Sequence, residues 1–416
     1  MSTARWLWFL ILIGLALRLL AAGLLQFQLD HRWHREFLIL GDANGYWELG
    51  EKLSRGETFG IYEPPRYALR MPGFPALIAV SIRLFGDSKF AARLFLAAFC
   101  TSAVWLNFQL GRTLKDDRTG VIAAGLTAIS PVFIAFSPVL LCESAFAVAL
   151  LWTLWLGALS WQTMLQPQPD WRRMCLLSAG AGFTSALAIY LKPSWLLAVP
   201  AFAVLLVLCD PRRVRGAACG TLSVLFLVLT LLPWGIRNQQ VTGHFVLTTL
   251  WMGPSLYDGL NPEATGDSDM TFFDQEHLSS QLSEFEVDQH YKRAAWEFAA
   301  SHPHRVARLG GIKLLRYWSP WPNAEQFDHW TARIATSIFY VPCLGLALVG
   351  SWQERRNIRM LAIALGPILY FCALHTLFVA SLRYRLPGEY PLLVLTAIGI
   401  QVLRERKQSP ASEVSG

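Results

Sequence analysis

Apolar residues in this chain come in long unbroken blocks, not at the spaced positions of a soluble helix face. A helix needs about 17–25 predominantly apolar residues to cross the hydrocarbon core of a bilayer. Blocks near that length run over 6–26, 90–110, 121–136, 139–159, 174–190, 195–208, 217–234, 332–350, 360–380 and 387–403. The pattern predicts an all-α fold, a polytopic transmembrane helix bundle of about ten spans. The 195–208 block is short, as expected where a helix borders a cavity or tilts against its neighbours. The first block sits where a signal peptide would, but it is too long and lacks a cleavage site, so an anchor is expected.

The polar segments between the blocks orient the bundle. With Arg5 in the cytoplasm, the segments on that side carry Arg112, Lys115 and Arg118; Arg172 and Arg173; Arg212, Arg213 and Arg215; Arg355, Arg356 and Arg359; and Arg404, Arg406 and Lys407. The short turns on the opposite side carry only Lys192, Arg383 and Arg385. Basic residues are retained on the cytoplasmic side of membranes, so both termini are expected there. Two long segments, 27–89 and 235–330, then fall outside and are expected to form a cap over a single membrane-embedded domain, 1–416. Within the first, Pro72-Gly73 opens an apolar stretch, 74–85, too short to span and ending near Arg83; it predicts an interfacial helix. In the second, 285–298 has apolar residues at helical spacing, breaks at His302-Pro303 and resumes to Tyr317.

Composition narrows the class further. The 416 residues are 54% hydrophobic and only 16% charged, which a soluble domain of this size would not be. The net charge of +7 is explained by the cytoplasmic loops, so no nucleic-acid partner is implied. The seven cysteines lie in or at the edge of apolar blocks and form no CxxC pair, so they read as small hydrophobes.

The residues with chemical potential gather on the non-cytoplasmic side. Asp42, in Gly41-Asp42-Ala43-Asn44-Gly45-Tyr46, follows the first span; an acid at the mouth of a bundle acts as a base or orients a ligand, and it also suits the cap of a following helix. Glu143 stands near the outer end of the fourth span, facing either a cavity or solvent at the helix end. Lys192, before Pro193, has either a specific anionic partner or a place among lipid headgroups. Arg70, Arg237, Arg383 and Arg385 bring the basic positions on this disfavoured side to five, a set suited to phosphate or pyrophosphate. His375 precedes the last pair, inside a span. No Walker, GxGxxG, HExxH or GxSxG motif occurs, and the histidines lack metal-ligand spacing, so no metal is assigned and no cofactor is expected.

Taken in order, these features resemble the C-type fold of polytopic glycosyltransferases that use lipid-phosphate sugars, a group with the protein O-mannosyltransferases and the lipid A aminoarabinose transferase. The resemblance rests on Arg18; Gly41-Asp42-x-x-Gly-Tyr46; Arg70-x-Pro72-Gly73-Phe74-Pro75; Leu84-Phe85-Gly86 with Ala92-Arg93-Leu94; the Glu143 turn; Leu191-Lys192-Pro193; Pro233-Trp234-x-x-Arg237-Asn238; Phe298-x-x-x-His302-Pro303; and Arg383-Tyr384-Arg385-Leu386-Pro387. It implies that Asp42 is catalytic, activating an acceptor that attacks the anomeric carbon with inversion. It also implies that Arg70, Lys192, Arg237, Arg383 and Arg385 bind the lipid phosphate, or in the case of the last two hold the outer loop. Glu143, Tyr46 and His375 would position the sugar. The donor would be a polyprenyl-phosphate sugar, with undecaprenyl phosphate as carrier, a lipid, glycan or protein as acceptor, and the bacterial inner membrane as location. Unlike many of these proteins, the chain does not pair two adjacent acids here; the next acid is Glu48.

Two other classes compete: a transporter or flippase of lipid-linked sugars, and a non-catalytic scaffold. The first is expected to show repeated halves and broken helices near mid-membrane, whereas this chain has no visible repeat and its polar residues gather on one face. The second leaves the grouping of Asp42, Lys192 and Arg237 without a purpose.

Overall fold

The structure, a computed structural model, describes residues 2–210, 213–322 and 329–408; Arg212 and the side chain of Lys407 lie outside the described residues. The helices in chain order are α1 (Thr3–Gln28), α2 (Asp42–Arg55), α3 (Gly73–Phe85), α4 (Lys89–Leu114), α5 (Asp117–Ile129), α6 (Pro131–Phe136), α7 (Cys142–Met164), α8 (Trp171–Leu191) and α9 (Ala198–Cys209). They continue with α10 (Val214–Thr242), α11 (Met252–Gly259), α12 (Thr271–Glu276), α13 (Glu284–Ser301), α14 (Pro303–Trp318), α15 (Trp330–Gln353), α16 (Ile358–Ala364), α17 (Gly366–Leu377) and α18 (Leu382–Gln408). Among the described residues there is no strand, only an isolated bridge between Ile61 and Arg66. The all-α polytopic bundle is as expected.

Seven helices, α1, α4, α7, α8, α10, α15 and α18, are long and apolar enough to cross a membrane, making this an integral membrane protein. Helices α16 and α17 form an eighth, broken span bent by 53°. Three of the expected blocks take a different form. Block 121–136 divides into helices of 13 and 6 residues, because Pro131 offers no N–H and holds Ser130 extended (ψ 120°). Block 195–208 becomes a 3-10 turn, Pro193–Trp195, and the 12-residue α9. Block 360–380 breaks at Gly366-Pro367, with the proline in the first turn of α17. Helix α10, by contrast, outruns its apolar block, passing through Pro233 and ending at Gly243, whose φ of 76° suits a left-handed C-cap.

Helix α18 is almost wholly enclosed by its neighbours, whereas most of α1 faces outward. The centre of the bundle therefore holds a helix that carries Arg385, Glu389 and Tyr390 as buried groups. Arg18, buried in α1, donates to the carbonyls of Gly14 (3.0 Å) and Thr127 (3.0 Å), which fixes α1 against α5.

The described residues of the segments 27–89 and 235–330 knit together as a cap. Glu284 at the start of α13 accepts from the backbone N–H groups of Tyr67 (2.9 Å) and Ala68 (3.0 Å), and Leu250 N–H donates to Ala68 O (2.9 Å). Ser283 caps α13 with a reciprocal capping box to Glu286. The proline expected to break the helical region does so: α14 begins at Pro303. Lys313, fully buried, joins the cap to the bundle by donating to the carbonyls of Gly259 (2.8 Å) and Leu377 (2.7 Å), the last residues of α11 and α17. A cation at two helix C-termini also meets their negative dipole ends. Helix α3 packs on α2, where a side chain at Gly50 would collide with Ile78.

Candidate active site

Helix ends from five parts of the chain converge beneath the cap. Asp42 is the first residue of α2; Gly41 precedes it at φ 77°, a backbone state that glycine adopts without strain. The N-cap of α2 is Gly41 and makes no side-chain bond, so Asp42 does not cap in the expected way; its carboxylate turns inward instead. Arg70 lies just ahead of α3, whose start presses on the end of α8 so closely that a Cβ at Gly73 would stand 2.6 Å from Tyr190 O. Glu143 is in the first turn of α7. Lys192 is the C-cap of α8, held extended (φ −152°, ψ 119°) by Pro193 behind it. Arg383 is in the first turn of α18.

These five side chains form one alternating chain of charge. Arg70 Nη2 lies 2.7 Å from Asp42 Oδ1, and Arg383 Nη2 lies 2.7 Å from Asp42 Oδ2. Arg383 Nε donates to Glu143 Oε1 at 2.6 Å, and Lys192 Nζ donates to the same oxygen at 2.9 Å. Both acids sit at helix N-termini and the lysine at a helix C-terminus, each favoured by the local dipole. The ledger is three cations against two carboxylates, an excess of one positive charge. Exposure grades across the cluster: the Asp42 side chain is 30% exposed and that of Glu143 only 1%. Burial pushes the Asp42 carboxyl up, but the Arg383 and Arg70 guanidiniums outweigh it and hold the acid well below the usual carboxylate range.

Of the two readings of Glu143, the buried one holds, and Lys192 has an anionic partner within the protein. Tyr46 lies under the Arg70 guanidinium (4.8 Å to the ring centroid) and donates to Cys142 Sγ (3.4 Å). His375 stacks on Tyr384 (4.5 Å, 12°) and donates from Nδ1 to Val379 O (2.7 Å). Tyr384 in turn carries Lys192 Nζ 4.4 Å from its ring centroid, so His375 reaches the cluster only through that ring. Sequence reasoning passed over Tyr384 and Cys142; the one visible signal was an aromatic between two arginines at a helix start.

Two expected phosphate ligands are engaged elsewhere. Arg237 donates to the carbonyls of Phe59 (2.6 Å) and Tyr67 (2.5 Å), holding the turn that leads to Arg70. Arg385 is fully buried, donates to the carbonyls of Tyr317 (2.6 Å) and Ser319 (2.6 Å) and pairs with Glu389. Glu48 pairs with Lys52 on its own helix (2.8 Å). Among the described residues no group of three or more His, Cys, Asp or Glu side chains is arranged to hold a metal ion.

The arrangement suits an anionic group with an oxygen nucleophile nearby: cations to take the anion, and one accessible carboxylate among them. The same architecture occurs in solved structures. The Archaeoglobus fulgidus oligosaccharyltransferase in its apo form superposes with a TM-score of 0.62 at 16% identity, covering 97% of this chain and 51% of that one. The archaeal oligosaccharyltransferase AglB from the same organism, in complex with an inhibitory peptide and a dolichol-phosphate, gives a TM-score of 0.55 at 15% identity, covering 94% of this chain and 50% of that one. ArnT from Cupriavidus metallidurans bound to undecaprenyl phosphate is similar at a TM-score of 0.45 and 14% identity, covering 96% of this chain and 79% of that one. This chain thus spans about half the length of the oligosaccharyltransferases it matches. No curated protein sequence matches it. The fold is the C-type fold of polytopic glycosyltransferases, and residues 66–236, which include Arg70, Glu143 and Lys192, match the family described as dolichyl-phosphate-mannose-protein mannosyltransferase.

Proposed function

We propose that the protein transfers a sugar from a polyprenyl-phosphate donor to an acceptor hydroxyl or amine at the extracytoplasmic face of the membrane. The observation that carries this reading is the cationic excess around Asp42, at the end of the bundle that the loop charges assign to the outside. The acceptor attacks the anomeric carbon as its proton passes to Asp42. The bond from that carbon to the phosphate oxygen breaks, and its electron pair leaves on the phosphate. A single displacement inverts the anomeric centre. Arg70, Lys192 and Arg383 take up the charge that grows on the leaving oxygen, a role that fixed cations in a desolvated site perform with little reorganisation. Glu143 holds Lys192 and Arg383 in place by its shared oxygen. Cytoplasmic termini, a bacterial inner-membrane location and undecaprenyl phosphate as the carrier complete the proposal.

The test is ligand-induced stabilisation of the detergent-purified chain. A ligand that binds the folded state raises its stability by RT ln(1 + [L]/Kd). Undecaprenyl phosphate should raise the unfolding temperature of the wild type, and Lys192→Ala with Arg70→Ala should abolish the rise. A well-folded wild type that shows no rise at any lipid concentration removes the reading.

A further inference from the structure

Each cation that a donor phosphate would use already pairs with a carboxylate of the cluster. Each oxygen of Asp42 accepts from one guanidinium, Oδ1 from Arg70 and Oδ2 from Arg383, and Arg383 also donates from Nε to Glu143. Glu143 is closed in, with Lys192 and Arg383 on one oxygen and the other buried without a hydrogen-bond partner. Asp42 is the most exposed of the five side chains. A phosphate that enters from outside therefore meets the Asp42 carboxylate first, together with the two guanidiniums that hold it.

We infer that the donor phosphate displaces Asp42 from Arg383, so that donor binding itself releases the catalytic carboxylate. The inference rests on the glycosyltransferase reading of the site and adds an order to it. In the unliganded state Asp42 is latched between two guanidiniums, where it is a weak base and each of its oxygens already accepts a charge-assisted hydrogen bond. The donor phosphodiester offers Arg383 a second anion whose two non-bridging oxygens match its planar fork better than the single carboxylate oxygen it holds on Asp42. Arg383 stays anchored through Nε on Glu143 while its Nη2 changes partner from Asp42 to phosphate. Asp42 keeps Arg70 and turns its freed oxygen outward. The acceptor is then activated only when a donor is in place.

The latch makes an unusual forecast: removing the catalytic acid tightens donor binding. The measurement is the dissociation constant of undecaprenyl phosphate for the full-length purified chain in four forms: wild type, Asp42→Asn, Arg383→Gln and the double variant. Asp42→Asn should tighten binding roughly tenfold or more when Arg383 is present and leave it unchanged when Arg383 is absent, the signature of two groups that share a partner. An equal gain in both backgrounds would mean simple charge repulsion and would overturn the latch, as would no gain. A second measurement uses Asp42→Asn alone and so does not depend on Arg383→Gln folding. Contact competition keeps its gain in 1 M salt, where charges act over only about 3 Å, whereas longer-range repulsion loses it. A gain that vanishes in high salt overturns the latch. Failure of the wild type to bind undecaprenyl phosphate at all would remove the glycosyltransferase reading along with it; binding without an Arg383-dependent gain removes the latch alone.

Discussion

Arg383 and Arg385 stand two residues apart at the start of α18 and reach into different layers. Arg383 donates to Asp42 and Glu143 in the cluster, while Arg385 donates to the carbonyls of Tyr317 and Ser319 at the end of α14 and pairs with Glu389. One turn of helix thus fixes both the charge cluster and the foot of the cap. The two arginines are expected to fail differently when replaced. Arg385→Met strands the Glu389 carboxylate in the interior, and breaking a buried pair from one side costs about 3–5 kcal/mol. Thermal unfolding should show that loss, and adding Glu389→Leu should restore part of it, because the uncompensated charge is then gone. A double variant as unstable as the single one would mean that the carbonyl contacts, and not the ion pair, carry the stability.

Asp42→Asn should lower transfer by about a hundredfold or more, the typical worth of a positioned acid or base, without preventing membrane insertion. The same variant changes the acid limb of stability. The folded-state carboxyl lies below its usual range, so the unfolded chain binds the proton more readily. Its contribution is therefore complete above about pH 4, the ordinary aspartate value, and is lost as the pH falls further towards the folded-state value. An unfolding series from pH 6 downwards should show a steeper loss for the wild type than for Asp42→Asn. Parallel curves would mean that the arginines do not hold Asp42 as the geometry indicates.

How much of this was readable beforehand depends on the length scale. The long apolar blocks forecast α1, α4, α7, α8, α10 and α15 because spanning a bilayer needs a run that nothing else in a chain requires. The breaks at Ser130-Pro131 and Gly366-Pro367 were written in the prolines, yet hydropathy alone ran straight across them. At the site, Asp42, Arg70, Glu143, Lys192 and Arg383 stood out as charges at helix ends on the side where charge is scarce. Their partners were not readable, because the rotation of each helix is set by packing against the others. For that reason Arg237 and Arg385, identical in kind to Arg70 and Arg383, turned to backbone carbonyls, and the part played by Tyr384, between Arg383 and Arg385, was not foreseen.

Arg237 offers a test of scaffolding against ligand binding. Its guanidinium spans the carbonyls of Phe59 and Tyr67, the two ends of the turn around the Ile61–Arg66 bridge. Arg237→Ala should raise amide hydrogen exchange through that turn, since local opening follows the loss of local contacts. The effect should appear in the absence of any lipid. Exchange that rises only when undecaprenyl phosphate is present in the wild-type comparison would instead place Arg237 on the ligand.

The crossing of α15 with α18 has the least tolerance in the bundle. A Cβ at Gly350 would stand 2.0 Å from Leu395 O, and one at Gly399 would stand 2.0 Å from Leu346 O. Both obstacles are backbone, which cannot rotate away, so either Gly350→Ala or Gly399→Ala must push the helices apart. Close approach through small residues is the main attraction between helices in lipid, where burial from water contributes little. Each single variant should therefore lower the unfolding temperature markedly. The pair should cost much less than the sum, since the first alanine has already opened the gap that the second needs. Gly399 and Arg383 share α18, about 24 Å apart along its axis with Pro387 and Pro391 between them, and the displacement is expected to carry along the helix to the site. Transfer should fall in the surviving folded fraction, with undecaprenyl phosphate binding reduced in parallel. Full additivity in stability, or an unaltered binding constant in the folded fraction, would show that the crossing yields locally and that α18 bends before it reaches Arg383.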